Sequence, residues 1–172
     1  MIKNKVIATL VGLTSSAAVA TTYTVDVSVT SQVNQSLLQI TQSQEMSFPE
    51  ITVAKESAIG SACYADGSSN TTTKTNNVYT SNANSLCPRL TGKMASFSVK
   101  GHPYARIYVR VVAEEQIKNG LSFNINASEN TQTLNHSGNY ARNINGQITL
   151  VDPEATSTGD LSFNYDFEAY YQ

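Results

Sequence analysis

Leu161-Ser162-Phe163-Asn164-Tyr165-Asp166-Phe167-Glu168-Ala169-Tyr170-Tyr171 alternates apolar and polar side chains for most of its length. In an extended strand successive side chains point to opposite faces. Leu161, Phe163, Tyr165, Phe167, Ala169 and Tyr171 therefore share one face, whereas a helix would scatter them around its axis. The stretch predicts a strand with one buried side. The same period of two governs the other end of the chain. Tyr23, Val25, Val27, Val29 and Val33 occupy odd positions, with Thr22, Thr24, Asp26, Ser28, Thr30 and Gln32 between them. Ser31 is the gap in this apolar series. Ala95, Phe97 and Val99 repeat the pattern and stop at Gly101-His102-Pro103. Further runs are Ile107, Val109 and Val111, then Leu121, Phe123 and Ile125, then Ile144, Ile148 and Leu150, which Asp152-Pro153 ends. Shorter runs cover 37–41 and 48–53. Many short strands between Gly, Pro and Asn turns predict an all-β sandwich. The single helical expectation is one or two turns over 112–119, where Glu114, Glu115, Gln116 and Lys118 cluster.

The chain has 172 residues, of which 14% are charged. That length fits one domain, and that charge is well below the usual ~25%. With 11 basic and 13 acidic side chains it lacks the cationic surface that phosphate binding requires, so no nucleic-acid partner is expected. Residues 1–20 read as a cleavable secretory signal. Lys3 and Lys5 form its positive region, Val6 to Leu13 its apolar region, and Ala18-Val19-Ala20 its small-residue cleavage site. The apolar run falls far short of the ~20 residues that span a bilayer. No second such run follows, so a membrane-spanning chain is not expected. Processing at this point leaves 9 basic against 13 acidic side chains.

Both cysteines, Cys63 and Cys87, lie in the exported part. A single pair in an oxidising compartment predicts a disulfide. Two cysteines and two distant histidines are too few for a metal centre. Between the cysteines the composition changes: 15 of the 27 residues from Ser61 to Cys87 are Ser, Thr or Asn. Such a stretch buries too little to order itself and predicts an exposed insertion tethered at its ends. Asn34, Asn70, Asn126 and Asn135 head N-x-Ser/Thr sequons, which a composition rich in Thr and Asn generates by itself.

Nothing in the chain supports catalysis. His102 lies in a Gly-His-Pro turn and His136 in an Asn-His-Ser-Gly turn, and no Gly-x-Ser-x-Gly elbow accompanies either. Glu114 and Glu115 are adjacent on a connection and point apart. Asp166 and Glu168 belong to the polar face of the last strand. No phosphate loop, dinucleotide fingerprint or calcium loop occurs, so neither enzyme activity nor a cofactor is expected. Tyr104, Arg106, Tyr108 and Arg110 share one face of one strand. These are interface-enriched residue types, although an ordinary outer sheet face carries them as well.

The two ends together resemble the subunits of bacterial chaperone–usher fimbriae. That family carries an N-terminal extension of alternating apolar residues, like Thr22 to Gln32 here. Its last strand is marked by a Gly fourteen residues from the end and a penultimate Tyr, matched by Gly159 and Tyr171. Leu37-Leu38-Gln39-Ile40 is similar to the first body strand of some major subunits. Ser47-Phe48-Pro49-Glu50-Ile51 is similar to a Phe-Gly-x-Ile stretch of related secreted domains, with Pro49 in place of Gly. The likeness covers 21–54 and 93–172, and the segment between Cys63 and Cys87 departs from it. The resemblance implies a signal peptide over 1–20, a donor-strand extension and connector over 21–36, and a pilin domain over 37–172. It implies an incomplete immunoglobulin-like sandwich, completed by a strand from a neighbouring subunit. Tyr23, Val25, Val27, Val29 and Val33 would be the donated side chains. Gly159, Leu161, Phe163, Tyr165, Phe167, Ala169 and Tyr171 would mark the strand lining the receiving groove. The implied partners are identical subunits in a head-to-tail filament, a periplasmic chaperone and an outer-membrane usher. The implied location is an extracellular fimbria, reached through the periplasm. The alternative is a monomeric secreted β-sandwich whose first strand pairs within its own domain.

Overall fold

The computed structural model describes residues 21–33, 38–54, 57–68, 70, 73–75, 78–80 and 85–172, with backbone alone for 21, 22, 32, 33, 73–75 and 78–80. The expected signal segment and the connector 34–36 lie outside the described residues. The strands in chain order are β1 (Thr21–Val33), β2 (Gln39–Gln44), β3 (Ile51–Val53), β4 (Ala62–Ala65), β5 (Thr73–Thr75), β6 (Val78–Thr80) and β7 (Ala95–Lys100). Then follow β8 (Arg106–Val112), β9 (Gln116–Lys118), β10 (Leu121–Ile125), β11 (Ser128–Thr133), β12 (Asn139–Ile144), β13 (Gly146–Leu150) and β14 (Gly159–Tyr171). Among the described residues there is no helix, and the protein is all-β.

One layer is a five-stranded sheet in the order β11-β8-β14-β1-β3. The facing layer combines β4-β13-β10-β9 with β12-β7-β2. The strand β14 holds the layers together through two ring stacks. Phe163 stacks on Phe123 of β10 with centroids 5.2 Å apart, and Phe167 lies 4.4 Å from Phe97 of β7 in a near-parallel stack. Offset stacking adds to the area these rings bury. The period-two reading of β14 holds: Leu161, Phe163, Tyr165, Phe167 and Ala169 are buried, and Tyr171 is half-buried against the core.

The expected helical turns over 112–119 are not formed. Gln116–Lys118 is a strand paired with Leu121–Phe123. The cause is Asn119-Gly120, whose φ angles of 46° and 70° make a two-residue turn of the kind that joins right-twisted strands. Glycine is required at the second position, because a Cβ on Gly120 would meet the carbonyl oxygen of Asp152. That carbonyl lies close because Asp152 and Val151 both donate backbone hydrogen bonds to the Gly120 oxygen, at 3.1 and 2.8 Å.

Cys63 and Cys87 form the expected disulfide, with Cα atoms 5.5 Å apart. Its surroundings correct the expectation of an exposed insertion over 61–87. Ala62, Cys63 and Ala65 are buried on β4, which pairs with β13, and Leu86 and Cys87 are buried as well. Small side chains leave room for the facing layer, so a strand with little hydrophobic signal enters the core. Asn70, inside the same polar stretch, is also buried. Its side chain accepts from Tyr64 N–H at 2.8 Å and donates to the Tyr64 and Leu90 carbonyls at 2.9 Å each. A carboxamide offers a donor and an acceptor, so Asn70 serves β4 as an adjacent strand would. The sequon at Asn70 is therefore turned inward. The middle of the segment holds the β5–β6 hairpin.

Replacing both cysteines by serine is expected to cost about 3 kcal/mol, the chain-entropy value for a loop of this size. Denaturant unfolding of the native and doubly substituted chains measures it. An unchanged midpoint would contradict a structural role for the bond.

Candidate interaction site along the first and last strands

Among the described residues, the longest ladder joins β1 to β14. β1 runs parallel to β14 from Tyr23 opposite Gly159 to Val33 opposite Ala169. On its other edge β1 meets β3 over only three pairs, Thr21–Val53, Thr22–Thr52 and Tyr23–Ile51. Beyond Tyr23, β1 is paired on one side among the described residues. β1 thus lies between β14 and β3 in the sheet order, with β3 reaching only its first three residues.

Burial along β1 follows the predicted alternation and also grades along it. Tyr23 is 0% exposed and Val25 5%, whereas Val27 and Val29 are half-buried and packed against the core. Ser31, in phase with them, is exposed, as the gap in the apolar series leads one to expect. Thr24, Asp26, Ser28 and Thr30 are exposed on the opposite face. The side chain of Val33 lies outside the described residues. A one-residue slip would bury Thr24, Asp26 and Ser28, so the register is set by the pattern. In this single chain β1 lies in its own sheet. Its apolar row and that of β14 face the same core.

Two positions frame β14. Gly159 opens it at φ 149°, a backbone conformation that side-chain-bearing residues rarely adopt. At the far end the Tyr171 hydroxyl accepts a hydrogen bond from His102 N–H at 2.9 Å. The approach is possible because Gly101 has no side chain; a Cβ there would meet that hydroxyl. The last strand is thereby pinned to the Gly101-His102-Pro103 turn. Inside the seam, the buried hydroxyl of Tyr165 has no hydrogen-bond partner among the described residues, and burial pushes its pKa well above the ordinary phenol value. Burial also raises Tyr23, partly opposed by Thr156 and the Ser157 backbone nearby.

The outer face of the same sheet carries a polar cluster. Arg110 Nε donates to Glu129 at 2.8 Å, Tyr108 donates to the other Glu129 oxygen at 2.9 Å, and Arg110 lies 3.5 Å from Glu168. The Arg110 hydrogen bond, then that from Tyr108, holds the Glu129 carboxyl below its ordinary range. The Tyr108 and Tyr170 rings lie 5.0 Å apart. Tyr104 is 70% exposed in the turn before β8. Tyr108, Arg110, Glu129 and Glu168 pair with one another, and surface pairs of this kind contribute little.

His102, His136, Glu114 and Glu115 are all exposed. Among the described residues, no three His, Cys, Asp or Glu side chains are grouped to hold a metal ion, and no helix is long and apolar enough to cross a membrane. No protein-family model matches the chain, and no curated protein matches it.

Proposed function

We propose that this chain is a structural subunit of an extracellular fimbria that polymerises by donor-strand exchange and serves surface attachment or biofilm formation. The supporting observation is the placement of β1. It is the first described strand, it stands between β14 and β3, and its buried side chains complete a core that the other strands already outline. Without it, one side of β14 opens and Phe163, Tyr165 and Phe167 lose cover. The remaining domain is then an immunoglobulin-like sandwich short of one strand. A neighbour's copy of 21–33 has the apolar row to fill that slot, and β-strand addition of this type gives main-chain bonding with side-chain register. The contact is head-to-tail and does not close, so it builds a filament. Before assembly a periplasmic chaperone would cover the slot, and an outer-membrane usher would pass the subunit on.

One observation favours the second reading, a monomeric secreted sandwich: in the single chain β1 occupies its own sheet. Under the fimbrial reading β1 leaves this position for a neighbour, and the chaperone covers the slot that it vacates until the next subunit's strand arrives.

The test is negative-stain microscopy of cells expressing the native chain and Val27→Asp. Native cells are expected to carry surface filaments. Val27 is half-buried in the middle of the donated row, and a carboxylate there must be desolvated against the core without a partner. The substituted subunit is expected to reach the periplasm and form no filaments. Bare native cells would favour the monomer.

A further inference from the structure

We infer that Gln116 and Lys118 form a side-chain clasp that seals an open edge of β14 against pairing with a second copy of this chain. The ladder between β8 and β14 runs from Tyr171–Ile107 to Asp166–Val112 and ends there. The chain then leaves the sheet at Ala113 and crosses to the facing layer. Between Gly159 and Tyr165, no strand among the described residues pairs with this edge of β14. An unpaired edge is a template for another strand.

The facing layer covers it with side chains. Asn164 N–H donates to Gln116 Oε1 at 3.0 Å, and Gln116 Nε2 donates to the Asn164 carbonyl at 2.6 Å. The carboxamide makes the two bonds that one residue of an adjacent strand would make. One strand step further, Lys118 Nζ donates to the Ser162 carbonyl. The same ammonium lies 5.4 Å from the centre of the Phe163 ring. Residues 162 and 164 are the positions that β8 would have bonded had it continued. Glu114 and Asp166 line the adjoining polar notch of about 230 Å³, where an incoming strand would also meet their charge. A lysine and acidic groups at an edge are known means of discouraging strand addition. Two of the four side chains, Gln116 and Lys118, complete the ladder chemically, which an edge left to solvent does not need.

The clasp rests on the fold alone and stands whether or not β1 is exchanged. It is tested on the full chain by amide hydrogen exchange and by size-exclusion chromatography over a concentration series. In Gln116→Ala/Lys118→Ala, the Asn164 amide is expected to exchange about tenfold faster, the loss of one net hydrogen bond. The variant is also expected to form oligomers at concentrations where the native chain forms none. Gln116→Glu keeps the acceptor for Asn164 N–H but faces the carbonyl with an acid. It should keep Asn164 protected and associate less than the double variant. If the double variant fails to fold, native-like association of Gln116→Glu, together with unprotected Asn164, overturns the inference. So does a folded double variant with unchanged exchange, or one that stays monomeric throughout the series.

Discussion

A chain lacking residues 21–33 will not accumulate as a soluble monomer, and a synthetic peptide of residues 21–33 added during refolding will restore it. The deletion leaves the β14 face beside the slot without the buried side chains of Tyr23 and Val25 and the half-buried Val27 and Val29. Fully burying one such side chain is worth about 1.5–3 kcal/mol, so the row is comparable with a typical stability margin of roughly 5–15 kcal/mol. The exposed strip would also draw chains together. The peptide supplies the same row and the same ladder with β14. Recovery of soluble, peptide-bound protein shows that the strand acts as a separable unit. A truncated chain that is soluble and stable by itself would remove the slot from the account.

Phe163→Ala and Phe167→Ala are each expected to destabilise the fold by about 3–5 kcal/mol, the range for a large aromatic lost from a core. Phe163 is fully buried and stacked on Phe123; Phe167 is fully buried and stacked on Phe97. Each cavity would open between β14 and the facing layer, where the surrounding strands cannot collapse without breaking ladder bonds. Urea unfolding measures the loss. A change below about 1 kcal/mol at both positions would mean that β14 is not the strand joining the two layers.

Most of the layers were legible because alternation is a direct record of burial. β1, β7, β8, β10 and β14 each show it, with their described apolar side chains turned toward the core, whereas the single run read through Ile144, Ile148 and Leu150 is split at Asn145 into β12 and β13, strands of two different sheets. The strands that escaped notice lack that record. β11 (Ser128–Thr133) is polar throughout, since it is an edge strand held by β8 on one side. β4 carries small residues and a cysteine, so its buried positions do not stand out. β9 lies in a charged stretch that reads as helical, and the signal that decides it, Asn119-Gly120, sits just past its end. Asn70 was hidden for a different reason. Its burial depends on backbone groups of Tyr64 and Leu90, which a sequence does not juxtapose. The disulfide needed only a count of two and a compartment. The partner of β1 was the least legible feature. An apolar row states that it must be covered and does not state which chain covers it.

That choice is what a denaturing gel of unboiled surface material resolves. Donated strands hold subunits together through a full-length ladder and a buried row, so the native chain is predicted to give a series of oligomer bands that collapse to monomer on boiling. Val27→Asp is predicted to give monomer alone. A single monomer band from the unboiled native chain would contradict the account and leave β1 in its own sheet.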